Sequence, residues 1–367
     1  MQGPSTPDLP DLSRIPEAVQ RELELFFAQR RSDIAALGDP AVHAVGHLER
    51  FVLGGGKRIR PLYGWAGFIG GGGLTAGQED PQAVLTAVSS LEFIQACALI
   101  HDDIIDASDT RRGNPTVHRS VEAAHLEQGF RGDAATFGVN AAILIGDLAL
   151  VWAEDMWRGS GVSGAALARA EEAWRGMRTE VIGGQILDIM LEAEGSESVE
   201  MADRVNRFKT AAYTIERPLH LGAALAGASD EVIDAFRGYG RDIGIAFQLR
   251  DDLLGVFGDS SVTGKPAGDD IREGKRTVLY ASALALLDTA SSPHADTLRE
   301  GIGVAHEPAQ LAELARMIEE SGAVEVVEKR IDELTASGLA RLDEAELPQD
   351  VKENLRALAV KATARRY

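Results

Sequence analysis

Two similar acidic stretches, LIHDDIID at residues 99–106 and FQLRDDLL at residues 247–254, decide how this sequence folds. Apolar residues precede the acids in both stretches, which predicts that each acid set lies at the end of a buried helix. On a helix, Asp102 and Asp106 stand one turn apart on one face, where like charges repel by about 0.2–0.5 kcal/mol. A cation would offset this repulsion, and Mg²⁺ suits such oxygen ligands because it completes its shell with water and phosphate.

A single Asp-Asp pair on a helix is most often part of a solvated surface. The apolar flanks at residues 96–100 and 244–247 argue against that interpretation here. Two such acid sets in one chain are also far less expected by chance than one. The sequence therefore predicts two acid-bearing helices that face each other across a cavity.

The composition sets bounds on the class of protein. The 367 residues are 45% hydrophobic and 26% charged, as in globular chains, and the net charge of −20 argues against a nucleic-acid partner. The single cysteine, Cys97, favours a reducing cytoplasm and is expected to be a pocket or core residue rather than a nucleophile. Neither a signal peptide nor a transmembrane segment is predicted, because Asp147 interrupts the best candidate, residues 141–152, short of the roughly 20 residues needed.

The predicted fold class is all-α. Apolar residues recur at helical spacing from Ile15 onwards and strand signatures are nearly absent. We expect a bundle of ten or more helices around a central cavity, interrupted by glycine-rich loops such as residues 258–274. The proline-containing residues 1–14 are expected to form a flexible arm, and residues 15–367 a single domain.

Basic residues concentrate beside the glycine loops and the acids. Lys57 and Arg60 follow the glycines 54–56, where successive backbone N–H groups can approach an anion. The run Arg111-Arg112-Gly113 follows the first acid set, and its adjacent arginines can address two different anions. The remaining basic sites are Lys209 with Thr210, Lys265 and Lys275. Singly, each site is most often a solvated side chain; together with a divalent metal they predict diphosphate chemistry.

The motifs gain specificity from their order. The chain carries Gly-Gly-Lys-x-x-Arg-Pro, Asp-Asp-x-x-Asp, Arg-Arg-Gly-x-Pro-Thr, Lys-Thr-Ala, and Phe-Gln-x-x-Asp-Asp followed by Thr-Gly-Lys. Over about residues 45–290 this set resembles the trans-isoprenyl diphosphate synthases, or polyprenyl synthetases. The resemblance implies an isoprenoid-synthase fold, a homodimer, and a head-to-tail condensation of isopentenyl diphosphate with allylic diphosphates. In that reaction the allylic diphosphate ionises, the double bond attacks the cation, and the released diphosphate accepts a proton.

The resemblance also assigns roles to individual residues. The metal ligands, for about three Mg²⁺ ions, would be Asp102, Asp103, Asp106, Asp251 and Asp252. The allylic diphosphate would be bound by Arg111, Lys209 and Lys265. Isopentenyl diphosphate would be bound by Gly56, Lys57, Arg60 and Arg112, with Gln95 nearby. The cation would be stabilised by Thr210 and Gln248, which with Lys209 and Lys265 form the catalytic set, and Lys275 would close a loop over the site.

One position departs from the family pattern. The second acidic motif of the family usually ends in a third Asp, and here that position is Gly255. We expect activity to persist because Asp251 is retained and Asp252 can act through water. Asp259 is one source of a partial replacement charge, although it could equally cap or solvate the loop.

The resemblance further implies that the growing product enters a hydrophobic tunnel beside the first acidic motif, and that bulky side chains one helical turn before the motif would block it. Cys97 and Ala98 are small there, and Ile94 would form the floor of a hydrophobic tunnel. This favours geranylgeranyl diphosphate over farnesyl diphosphate, with longer polyprenyl products as the main alternative. A class I terpene cyclase, which needs no second diphosphate site, and a non-catalytic synthase subunit, which needs no intact acid motifs, are less favoured.

Overall fold

The computed structural model describes residues 11–258 and 267–364, and within these ranges the predicted all-α class is confirmed. Most of the predicted flexible arm, residues 1–10, lies outside the described residues. The helices are α1 Ile15–Ala35, α2 Asp39–Leu53, α3 Ile59–Gly70, α4 Pro81–Ser89, α5 Leu91–Ile105, α6 Val117–Glu127, α7 Ala134–Arg158, α8 Gly164–Glu194, α9 Val199–Val205, a π-helical segment Asn206–Glu216, α10 Arg217–Ala226, α11 Asp230–Phe257, α12 Asp269–Glu273, α13 Val278–Thr289, α14 His294–Gly301, α15 Pro308–Glu320, α16 Ala323–Glu344 and α17 Gln349–Thr363.

The chain forms two compact units, so its organisation as a single domain stays a prediction. Unit 1 is Met1–Ala173 with Pro218–Ile233, and unit 2 is Trp174–Arg217 with Asp234–Tyr367. In unit 1, Trp152 of α7 packs edge-on against Phe93 of α5, with ring centroids 6.1 Å apart. Edge-to-face aromatic pairs of this kind fix the relative position of their helices, so the core holds α5, which carries the first acidic motif.

A short hairpin follows α5. Strands β1 Thr110–Arg111 and β2 Asn114–Pro115 pair antiparallel, with Arg111 opposite Asn114. The two turn residues, Arg112 and Gly113, have φ values of 53° and 75°. Two consecutive left-handed residues are typical of the tight turn whose twist matches a hairpin. The hairpin therefore presents Arg111 and Arg112 on different parts of one rigid loop.

Unit 2 holds α11, which carries the second acidic motif, through its C-terminal helices. Arg250 donates from Nη1 and Nη2 to the two carboxylate oxygens of Glu328 on α16 at 2.5 and 2.6 Å, and from Nε to the carbonyl of Thr363 at 2.9 Å. A bidentate pair of this kind fixes geometry as well as charge. The end of α11 is thus anchored at the residue that directly precedes Asp251.

The predicted loop at residues 258–274 is partly wrong, because its described portion contains the short helix α12. Gly268 precedes α12 with a φ of 77° and Gly274 follows it with a φ of 80°. Glycine adopts this left-handed conformation without strain, which lets the chain enter and leave a single helical turn abruptly. Glycines at both ends therefore delimit a helix here.

Two segments are long and apolar enough to cross a membrane by length and composition alone, Pro81–Ile105 and Ala134–Arg158. The apolar window of the first is 78% buried in the protein and that of the second 28%. Core helices of soluble proteins meet the same criterion, so these segments are weak evidence for a span. The absence of a transmembrane segment stays a prediction.

Candidate active site

The first acidic motif occupies the last turn of α5. Asp102 and Asp103 are helical, and Asp106 ends the helix, donating its backbone N–H to the carbonyl of Asp102 at 2.8 Å. Arg111 of the hairpin donates from Nε to Asp103 Oδ1 at 2.7 Å and from Nη2 to Asp102 Oδ2 at 3.3 Å. One guanidinium therefore orients two of the three acids of this motif and supplies positive charge that offsets part of their repulsion.

The glycine loop between α2 and α3 contains two residues with positive φ. Gly55 and Gly56 have φ values of 97° and 145°, which side chains other than glycine rarely adopt. Lys57 is exposed to solvent, whereas Arg60, in the first turn of α3, is buried. The ammonium group of Lys57 is thus accessible to solvent, whereas the side chain of Arg60 is buried at the start of α3.

A buried ion pair that sequence analysis missed supports this loop. Arg58 donates to Glu92 Oε2 and to Gln20 Oε1, both at 2.6 Å, and to the carbonyl of Val52 at 2.7 Å. Both charged side chains are at most 5% exposed. Glu92 is itself the signal that could have revealed the pair, since it is an acid within the apolar start of α5. Arg58 is therefore a supporting residue of the basic loop.

Arg112 joins the hairpin to the glycine loop. Its Nη1 donates to the carbonyl of Gly55 at 3.2 Å, and a Cβ on Gly56 would lie 3.2 Å from the same nitrogen. Burial and the positive charges of Arg111 and Arg58 lower the pKa of Arg112, although a guanidinium keeps its proton in proteins. Arg112 therefore lies against the glycine loop, and the positive charges of Arg111, Arg58 and Arg60 act on it, a concentration of charge that suits a diphosphate.

The second acidic motif lies at the end of α11 in unit 2. Asp251 is half-buried and Asp252 is 3% exposed. Thr210 donates its hydroxyl to Gln248 Oε1 at 2.7 Å, and Gln248 donates its amide to Asp252 Oδ1 at 2.8 Å. Burial, together with the negative charges of Asp270 and Asp251, raises the pKa of Asp252 to about 8 against the effect of the Gln248 hydrogen bond. The two predicted cation stabilisers are therefore linked to one predicted metal ligand.

Lys209 lies in the π-helical segment Asn206–Glu216, and π-helices often occur at functional sites. Its Nζ is 2.5 Å from Asp188 Oδ2 on α8. A Cβ on Gly184, one turn before Asp188, would lie 2.3 Å from the backbone nitrogen of Lys209. Only glycine permits this close approach, so the Gly-Gly-x-x-x-Asp spacing on α8 is the signal by which Asp188 could have been found.

The loop residues near the second motif are only partly described. Lys265 and Asp259 lie outside the described residues. Lys275 has its Nζ 2.8 Å from Glu273 Oε2 and 3.9 Å from Asp270 Oδ1. The predicted loop-closing lysine therefore lies beside two carboxylates of the short helix α12.

The predicted chain-length residues lie on α5, in the two turns before the first acidic motif. Ile94 and Cys97 are buried, and Ala98 is partly buried, as is Gln95 of the predicted substrate set. Burial and the negative charge of Asp147 raise the pKa of Cys97 to about 12. The thiol is thus neutral at physiological pH. Cys97 and Ala98 both have small, uncharged side chains one turn before the first acidic motif.

The acid residues fit Mg²⁺ as partial ligand sets. Among the described residues, no group of three or more His, Cys, Asp or Glu is arranged to hold a metal ion. Mg²⁺ typically takes one or two protein carboxylates and fills its octahedron with water and phosphate oxygens. The buried Asp252 Oδ2 has no hydrogen-bond partner in the described chain, which leaves an oxygen with the capacity to accept a cation or its water shell.

Comparison with known proteins reveals extensive similarity. The sequence profile of the family described as polyprenyl synthetase matches residues 44–320. The chain is 34% identical over 253 residues to a short chain isoprenyl diphosphate synthase of Methanocaldococcus jannaschii, covering 68% of each chain. It is 34% identical to a geranylfarnesyl diphosphate synthase of Aeropyrum pernix, covering 76% of this chain and 80% of the relative.

A solved structure is similar over nearly the whole length. It is that of the geranylgeranyl pyrophosphate synthase from Corynebacterium glutamicum, complexed with isoprenyl diphosphate and magnesium. The TM-score is 0.95 at 60% sequence identity, and the match covers 97% of this chain and 100% of the other. Similarity of this extent includes both acidic motifs and the C-terminal helices.

Proposed function

The chain belongs to the polyprenyl synthetase family and is a prenyltransferase, and we propose that it makes geranylgeranyl diphosphate from isopentenyl diphosphate and allylic diphosphates. The observation that carries the proposal is the 60% identity to a geranylgeranyl pyrophosphate synthase over 97% of this chain. Members of the family depend on Mg²⁺, and a bound Mg²⁺ neutralises the charge that develops on a leaving diphosphate.

The two acidic motifs are the proposed ligands of Mg²⁺ on the allylic diphosphate. Asp102 and Asp106 form the first set, with Asp103 held beside them by Arg111, and Asp251 with Asp252 forms the second. Lys209, whose position is fixed by Asp188, is proposed to bind the same diphosphate together with Arg111 and Lys265. These residues bind the leaving group rather than the hydrocarbon, so they favour loss of diphosphate.

The basic loop of unit 1 is the proposed site for isopentenyl diphosphate. The hydrogen bond from Arg112 to Gly55 fixes this guanidinium beside the loop, and Gly56, Lys57 and Arg60 complete the set, with Gln95 as a neighbouring polar group. Binding the second diphosphate here orients the double bond for attack on the allylic carbon.

Cation stabilisation is assigned to the linked pair Thr210 and Gln248. Their side-chain oxygens carry partial negative charge, and their hydrogen bond fixes both rotamers before the cation forms. After the new carbon–carbon bond forms, the tertiary cation loses a proton and the released diphosphate accepts it. The chain therefore needs no dedicated protein base.

Product analysis tests the proposal directly. Purified protein is incubated with Mg²⁺, isopentenyl diphosphate and each allylic diphosphate in turn, and the dephosphorylated products are chromatographed. A twenty-carbon product supports the proposal. A fifteen- or twenty-five-carbon product would assign the chain to farnesyl or geranylfarnesyl synthesis, a cyclic hydrocarbon to a cyclase, and no turnover to a synthase subunit.

An apolar face of unit 1 supports a homodimer. The exposed side chains of Phe137, Leu144 and Val151 recur every seven residues on α7, and therefore share one face of that helix. Phe130 packs edge-on against Phe137, with ring centroids 6.5 Å apart, and extends the same surface. Contiguous exposed apolar side chains mark association sites, and we assign this face to a second copy of the chain in the cytoplasm.

Light scattering tests the dimer. Leu144→Asp is expected to yield monomers at concentrations where the native protein is dimeric. Leu37→Asp is the matched control, because Leu37 is also exposed but lies outside the α7 face. Equal dimerisation of both variants and the native protein would remove this face as the interface.

A further inference from the structure

The second acidic motif lacks a side chain at Gly255, and the structure shows what lies there instead. A Cβ placed on Gly255 would be 2.1 Å from Asp270 Oδ2 and 2.4 Å from the Asp270 carboxyl carbon. These distances are far below any real contact, so the Asp270 carboxylate occupies the volume in which a side chain at position 255 would begin. We propose that Asp270, on α12, supplies the carboxylate that the motif lacks at Gly255.

The short helix α12 is held firmly enough to serve this purpose. The backbone N–H of Lys275 donates to the carbonyl of Asp270 at 3.0 Å, and that of Gly303 donates to the carbonyl of Ile271 at 2.8 Å. Ile271 is 1% exposed and belongs to the core cluster of unit 2. The residue directly after Asp270 is therefore anchored in the core, which fixes the carboxylate against α11.

The neighbouring Asp252 has a carboxylate oxygen that is available to a cation or its water shell. Its side chain is 3% exposed, and its Oδ2 has no hydrogen-bond partner within residues 11–258 and 267–364. The negative charges of Asp251 and Asp270 both act on it. Buried carboxylates in this proximity are stabilised by a cation or by added hydrogen bonds.

Asp270 is thus a positioning or ligating carboxylate for Mg²⁺ at the second motif, a role that rests on the proposed function. The third carboxylate comes from a separate element rather than from the same helix. Gly255 is required by this arrangement, because any larger residue would displace Asp270. Asp270 therefore provides the carboxylate, and Gly255 leaves the space that it occupies.

Metal binding by carboxylate variants tests the inference without any need for product formation. Mn²⁺ binding to the full-length protein is measured by electron paramagnetic resonance in the presence of inorganic diphosphate. Asp270→Asn is expected to weaken Mn²⁺ binding by about tenfold or more. Glu273→Gln is the matched control, since it removes a carboxylate from the same helix that does not contact Gly255, and it is expected to bind Mn²⁺ like the native protein.

The double variant Gly255→Asp with Asp270→Gly returns the carboxylate to α11. It is expected to restore Mn²⁺ binding to within about threefold of native, while Asp270→Gly alone does not. Native binding in Asp270→Asn, or a double variant that binds no better than Asp270→Gly, would overturn the inference. Because Mn²⁺ binding is measured without turnover, an inactive chain that still loses Mn²⁺ in Asp270→Asn would refute the proposed function but not this role.

Discussion

The two acidic motifs share the Asp-Asp pair, yet their surroundings differ in charge. In the first, Arg111 contacts both Asp102 and Asp103, so the carboxylates meet a cation within their own unit. In the second, Asp252 receives a neutral amide from Gln248, and the charges of Asp251 and Asp270 act against its ionisation. A repeated sequence motif therefore gives two electrostatic environments: in one an arginine contacts two of the acids, and in the other neighbouring acids oppose the ionisation of Asp252.

The largest effect is expected from removing a ligand of the first motif. Asp102→Ala should lower kcat for condensation by about 10³-fold, because a metal ion contributes several kcal/mol to stabilising a leaving group. The rate is measured with radiolabelled isopentenyl diphosphate. Asp109→Asn is the control, since Asp109 lies just beyond the motif and pairs with Arg119 at the surface. Equal rates for Asp102→Ala and this control would exclude Asp102 from the metal site.

The buried ion pair between Arg58 and Glu92 supports the basic loop of unit 1. Arg58→Met is expected to reduce the free energy of unfolding by about 3 kcal/mol, because it leaves the Glu92 carboxylate buried without its cation. Urea denaturation followed by circular dichroism measures the change. The double variant Arg58→Met with Glu92→Leu should recover most of the loss. If the single and double variants are equally unstable, the pair has no special electrostatic role.

The raised pKa of Asp252 in the second motif should make the free energy of unfolding depend on pH. The pKa of Asp252 is about 8 in the fold and about 3.9 in an unfolded chain. Between these values the unfolded state releases the proton first, so the free energy of unfolding falls as pH rises, by up to about 1.4 kcal/mol per unit. In EDTA, the stability of the native protein relative to Asp252→Asn should decline from pH 5 to pH 8. A constant difference would mean that burial does not shift this carboxyl.

The turns that precede the motifs differ as well. Before the second motif, Gln248 is polar and hydrogen-bonded, whereas before the first, Ala98 is small. Ala98→Phe is expected to shorten the product from twenty to fifteen carbons by blocking the proposed tunnel, with total turnover little changed. Chromatography of the dephosphorylated products measures the shift, and Ala98→Ser serves as the control of similar volume. An unchanged product from Ala98→Phe would place the tunnel wall elsewhere.

Sequence patterns predicted the parts of the molecule that depend on periodicity and local motif. The helical class follows from apolar residues at helical spacing and from the near absence of strand signatures. Asp270 could not be placed this way, because its proximity to Gly255 depends on how α12 packs against α11. Asp188 and Glu92 were missed for the same reason: each acts through a partner distant in sequence, Lys209 and Arg58 respectively.

The smallest effect is expected at Cys97, beside the first motif. Its pKa of about 12 leaves about one thiol in 10⁴ ionised at pH 8, and the thiolate is the reactive form. Iodoacetamide should therefore leave the native protein unmodified and fully active while it alkylates the urea-unfolded chain. Stoichiometric labelling of native protein would contradict this.

Burial raises the pKa at both Cys97 and Asp252, but with different consequences. A thiol with a pKa of about 12 stays neutral at physiological pH, so Cys97 affects its surroundings through its size rather than its charge. A carboxyl with a pKa of about 8 changes charge near neutral pH, so the proposed binding of Mg²⁺ at the second motif would be coupled to release of a proton.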